Sequence, residues 1–161
     1  MIRQLSFALS ALAFSVSGEA VVAAPAAISS PVVMEGRVQL EKTVEVDGVK
    51  KLVLAEPSVV VPGDRLLFTT TYRNDGAQAL ADFVVTNPLP AAVELLPDSF
   101  GSARVSVDGG KTWGALASLT VTDGKGGTRA ATGGDVTHLR WVVASILPGA
   151  RGSVQYHAVV R

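Results

Sequence analysis

Cysteine is absent from the 161 residues. That excludes a disulfide framework, a thiolate metal site, a cysteine nucleophile and a lipidated N-terminal cysteine. Charge is sparse as well: 17% of residues are Asp, Glu, Lys or Arg, against roughly 25% in ordinary soluble domains. Neither sign predominates, because 14 Lys and Arg balance 14 Asp and Glu. Non-specific nucleic-acid binding and a polybasic membrane patch therefore lack their electrostatic basis. Aromatic residues make up only 6% of the chain and histidine occurs twice. The hydrolase signatures G-x-S-x-G and H-E-x-x-H are missing, and the carboxylates are scattered singly, with no pair placed for acid–base work.

What the chain does hold is apolar residues, 48% of the total, enough for a packed core in one domain. They begin with a leader. Arg3 supplies a positive start, and residues 5–16 form an apolar run too short to cross a bilayer of about 30 Å as a helix. Small residues follow, and cleavage is expected after Ala24 or Ala26. Residues 1–26 are thus read as a cleavable signal peptide and residues 27–37 as a flexible lead-in. Residues 38–161 are the folded domain. No later run of about eighteen apolar residues occurs, so no membrane span is expected in the mature chain. The expected location is the periplasm or the cell exterior.

Within the domain, hydrophobic residues alternate. Val38, Leu40, Val44 and Val46 fall on one parity, with Gln39, Glu41, Thr43 and Glu45 on the other and Lys42 the one misfit, the pattern of a half-buried strand. Asp47-Gly48 suits a tight hairpin turn, with residues 49–54 returning. Further strands are expected over residues 65–73, 82–87, 93–96, 104–107, 116–122, 137–143 and 153–160, separated by Gly, Pro, Asn and Asp clusters. On the last pair, Leu139, Trp141 and Val143 point inward by parity, with His138 and Arg140 outward. No segment carries a sustained helical period with caps. The expectation is an all-β, antiparallel sandwich of about seven to nine strands.

Three segments carry a resemblance: Val61-Pro62-Gly63-Asp64; Tyr72-Arg73-Asn74-Asp75-Gly76; and Val84-Val85-Thr86-Asn87-Pro88-Leu89-Pro90 with Ala92-Val93. Together they resemble the conserved-repeat β-sandwich family of bacterial envelope and surface proteins, filed as domain of unknown function eleven. Leu147-Pro148-Gly149-Ala150 and the strand after it resemble that family's closing hairpin. The resemblance implies an immunoglobulin-like sandwich with a structural or adhesive role and no catalytic residues. In physical terms, Pro62 presets φ, Asn74 and Gly76 tolerate left-handed turn conformations, and Pro88 and Pro90 blunt a strand end.

Ser106, Asp108, Gly110, Thr112 and Trp113 fit the spacing S-x-D-x-G-x-T-W, which resembles the Asp-box hairpin of sialidases and other β-proteins. An Asp there accepts bonds from turn amides while the Trp packs beneath, so the motif reads as a structural hairpin. The alternative is a carbohydrate-binding module with Trp113, and Phe100 beside it, as a stacking platform. Gly110-Lys111-Thr112 lacks the first glycine and the helix of a phosphate loop. His138 and His157 are expected opposite one another across a hairpin at Pro148-Gly149. Two imidazoles fall short of the three protein ligands of a catalytic zinc site, so they are weak metal candidates. The loop at Asp123 reads as a plain turn. No cofactor and no enzymatic activity are expected. The expected partner is a protein or cell-envelope component.

Overall fold

The computed structural model describes residues 31–97 and 99–161. The expected leader over residues 1–26 lies outside them, as do the first four residues of the lead-in.

Ten strands are present among the described residues: β1 (Val32–Val46), β2 (Val49–Ala55), β3 (Arg65–Asn74), β4 (Leu80–Pro88), β5 (Val93–Leu95), β6 (Arg104–Ser106), β7 (Thr120–Thr122), β8 (Thr128–Ala130), β9 (His138–Ile146) and β10 (Arg151–Val160). Two single-turn 3-10 helices, Leu116–Ser118 and Gly133–Asp135, complete the regular structure, and no α-helix occurs among the described residues. The strands form a five-stranded sheet ordered β2-β1-β3-β10-β5, a three-stranded sheet ordered β4-β9-β6, and a small β7-β8 hairpin. Every pairing is antiparallel. The two larger sheets share one core, an arrangement consistent with a β-sandwich. Residues 116–118 turn where a strand was expected, because Ala115 O accepts from Ser118 N and Leu116 O from Leu119 N.

Parity decides which side chains meet inside. From the five-stranded sheet come Leu40, Leu66, Leu95, Tyr156 and Ala158, and from the three-stranded sheet Val85, Val105, Leu139 and Trp141, all in one buried cluster. The Tyr156 ring stacks on Phe68 at 4.7 Å between centroids and meets Trp141 of the opposite sheet at 6.2 Å. Burial pushes the Tyr156 phenol up to about 12, since a phenolate would lose its hydration there. Between the sheets, Asn87 Nδ2 donates to Thr70 Oγ1 at 2.7 Å.

The chain end departs from expectation. Residues around Pro148-Gly149 do not close a hairpin, because β9 belongs to the three-stranded sheet and β10 to the five-stranded one. The link is a corner between sheets, and Asn74 organises it. This wholly buried side chain donates from Nδ2 to Gln78 O at 2.8 Å and to Ile146 O at 2.9 Å. Its Oδ1 accepts from Gly76 N at 2.9 Å. Its backbone N–H donates to Ala150 O and its carbonyl accepts from Gly149 N. Neither Asn74 nor Gly76 adopts a positive φ, contrary to the turn reading. Gly76 is instead needed for space, since a Cβ there would lie 2.7 Å from Pro31 Cβ.

Two further differences concern β1. It begins at Val32, inside the expected lead-in, because Val32 through Glu41 pair with β3. That ladder stops at Glu41↔Arg65, while β1 and β2 continue pairing to Val46↔Val49. The remainder is a two-stranded ribbon projecting past the sheet. Its side chains from Glu45 through Leu54 are all exposed, so the alternation seen in sequence buries little beyond Leu40. The Asp47-Gly48 turn itself forms as expected, with both residues at positive φ.

Gly133 marks the tightest approach in the fold, where a Cβ would overlap the Leu95 carbonyl oxygen of β5. Backbone cannot yield there, so Gly133→Ala is expected to lower unfolding free energy by about 3 kcal/mol. At Gly134 a Cβ would meet only side-chain atoms, at 3.6 Å. Urea denaturation of Gly133→Ala beside Gly134→Ala tests this, and the second variant is expected to stay close to wild type.

Candidate functional site

The S-x-D-x-G-x-T-W segment folds as a compact hairpin over the outer face of the three-stranded sheet. Gly109 and Gly110 both take positive φ, which lets the backbone curl around the Asp108 carboxylate. Asp108 Oδ1 accepts from Ser106 Oγ at 2.7 Å, Lys111 N at 3.1 Å and Thr112 N at 2.9 Å. Ser106, wholly buried, also accepts from Gly110 N through Oγ at 2.9 Å. The bonds from Thr112, and behind them those from Ser106 and Lys111, hold the Asp108 carboxyl well below the usual carboxylate range. This carboxylate is occupied by the turn it organises.

Trp113 closes the hairpin. Its Nε1 donates to Gly110 O at 2.9 Å, and Val105 and Gly114 exchange backbone bonds at 2.9 and 3.0 Å. The ring lies over the sheet, with the Arg140 guanidinium carbon 4.3 Å from its centroid and the His138 ring edge-on at 6.4 Å. Arg140 thus takes one face of the indole, a contact invisible in sequence because β6 and β9 lie far apart along the chain. Phe100 does not join Trp113 in a platform. It packs against the core, and its carbonyl accepts from Trp141 Nε1 at 3.1 Å.

The two histidines are not brought together, which corrects the expectation of a facing pair. His138 pairs with Ser106 and Pro88 in one sheet, and His157 with Leu67 in the other. Their inward neighbours Leu139, Tyr156 and Ala158 fill the core, so the imidazoles stand on opposite outer faces of the two-sheet stack. His138 Nδ1 lies 3.1 Å from Thr137 Oγ1. His157 Nε2 lies 2.9 Å from Glu41 Oε1, and Arg65 Nε donates to Glu41 Oε2, also at 2.9 Å. The Glu41 side chain is only 5% exposed, and it fell on the outward parity of β1 with no signal of this pairing. No group of three or more His, Cys, Asp or Glu positioned for a metal ion occurs among the described residues. At the β7–β8 turn, Asp123 Oδ1 accepts from Lys125 N and Gly127 N, the plain turn expected.

No family model, curated protein or solved structure matches the chain. Among the described residues, no helix is long and apolar enough to cross a membrane.

The lowered Asp108 carboxyl makes the hairpin pH-sensitive in a defined direction. Its stabilising effect is complete above the unfolded-state value near 3.9 and is lost as pH falls toward the lower folded-state value. Asp108→Asn is therefore expected to be less stable than wild type at pH 7, with the gap narrowing below about pH 4. Thermal midpoints of both proteins from pH 7 to pH 2.5 check this; a gap independent of pH would contradict it.

Proposed function

We propose that this chain is an exported, non-catalytic, immunoglobulin-like β-sandwich domain with a structural or protein-interaction role in the bacterial cell envelope or outside it. The observation that carries the reading is the ribbon beyond β3. An isolated two-stranded hairpin is marginal in water, yet this one exposes Val46, Val49, Leu52, Val53 and Leu54. Within it, β2 is paired on one side only, leaving main-chain donors and acceptors for an added strand. Apolar side chains along an open edge are the usual mark of an interaction surface. The leader read in residues 1–26 supplies the export part of the proposal, and the sequence resemblance supplies the envelope context. The immunoglobulin-like description concerns architecture: the final two strands lie in opposite sheets here, whereas in the constant-type order they are neighbours.

A carbohydrate-binding role through Trp113 has less support, since Arg140 covers one face of the indole and Phe100 is turned to the core.

The test is site-specific photocrosslinking in cell-envelope fractions, with the crosslinker placed at Leu52 or, for comparison, at Lys125. The expected outcome is a discrete adduct from Leu52 that Leu54→Lys abolishes, with none from Lys125. A protein recovered free, with no adduct from Leu52, would contradict the reading.

A further inference from the structure

We infer that the outer face of the three-stranded sheet holds a binding site for a phosphate monoester, formed by Arg104 and Arg140 beside Trp113. The two arginines are direct partners in the β6–β9 ladder. Val105, Leu139 and Trp141 turn to the core, so both guanidinium stems stand on the same outward face. Directly opposed like charges on neighbouring strands, with Cβ atoms about 5 Å apart, destabilise a sheet.

Four arginines elsewhere are paired with a carboxylate. Arg37 pairs with Glu56, Arg65 with Glu41, Arg73 with Asp75 and Arg129 with Asp135. The comparison with Arg73 is direct, because Arg73 also faces an arginine, Arg151, across its ladder. There, Asp75 Oδ2 lies 2.8 Å from Arg73. At Arg104 and Arg140, no carboxylate pairs with either guanidinium among the described residues. The acid nearest in sequence on this face, Asp108, spends Oδ1 on Ser106, Lys111 and Thr112. The charge of two is left for something outside the chain.

The surroundings favour a compact oxyanion. The Trp113 ring, with its centroid 4.3 Å from the Arg140 guanidinium carbon, restrains that side chain and lowers the entropy lost on binding. Two guanidinium forks need more oxygens than one carboxylate offers and balance a dianion, which points to phosphate. His138, one pair further along β9, flanks the pair with Nδ1 3.1 Å from Thr137 Oγ1. Thr86, the other ladder neighbour of Arg140, adds a hydroxyl. The phosphate could belong to a freely diffusing ester or to a lipid headgroup, and the chemistry recognised is the same.

The test uses the full chain at constant ionic strength, which separates site binding from screening. Inorganic phosphate and phenyl phosphate are titrated calorimetrically, and flotation is measured with phosphatidylcholine vesicles with and without phosphatidic acid. The inference expects binding that Arg104→Gln and Arg140→Gln each weaken about tenfold, the loss of one charge-assisted contact. Arg151→Gln is expected to bind like wild type. Binding to inorganic phosphate and phenyl phosphate assigns a diffusing ligand; binding only to phosphatidic acid vesicles assigns a headgroup. Arg104 is exposed, so its variant reports even where loss of the Trp113 stack unfolds Arg140→Gln. No binding by either arm, or equal weakening in Arg151→Gln, would overturn the inference.

Discussion

The Asn74 side-chain amide fixes where the chain leaves one sheet for the other, and the layered arrangement depends on that crossing. Its two N–H donors reach Gln78 O, just after the β3–β4 turn, and Ile146 O, at the end of β9. Its carbonyl oxygen and both backbone groups are also engaged. One buried residue thereby ties together the exit from β3, the last turn before β4 and the corner from β9 into β10. Held in this way, β10 lies between β3 and β5 and does not return alongside β9. Tyr156 then meets Trp141 across the interior. A buried amide with every group satisfied is directional in a way that apolar contacts are not.

Around that corner, division of labour between the two outer faces becomes clear. On the outer face of the five-stranded sheet, Arg65 and His157 both bond the nearly buried Glu41 carboxylate. The three-stranded sheet carries the Asp108 hairpin, the Trp113–Arg140 stack and a facing arginine pair without a carboxylate. The β1–β2 ribbon extends beyond both. Its apolar side chains gain almost nothing from the core.

Much of the architecture was legible because it rests on local chemistry. Asp47-Gly48 turns with positive φ at both positions, and parity put Leu139 and Trp141 inside, where they are buried. The Asp108 hairpin was readable from spacing alone, since the bonds made by the Ser106 and Asp108 side chains run between residues at most four apart. Long-range choices were not legible. Pro148-Gly149 has the same turn chemistry whether the next strand joins its neighbour or crosses to the other sheet, so the histidines were placed face to face when they stand back to back. Asn74 read as a turn residue because sequence does not reveal that its partners come from Gln78 and Ile146. Alternation along 38–46 predicted a buried face, but burial depended on how far β3 extends, and β3 begins at Arg65. The Arg140–Trp113 contact likewise needed the β6–β9 register.

Equilibrium urea unfolding of Asn74→Asp tests the central claim most directly, because the change keeps side-chain shape and removes both amide donors. With the Gln78 and Ile146 carbonyls deprived of their amide donors and a carboxylate set in the wholly buried Asn74 position, the predicted loss is about 2–4 kcal/mol. A loss within about 0.5 kcal/mol, typical of an exposed surface position, would show that the corner holds without the amide and would contradict the account.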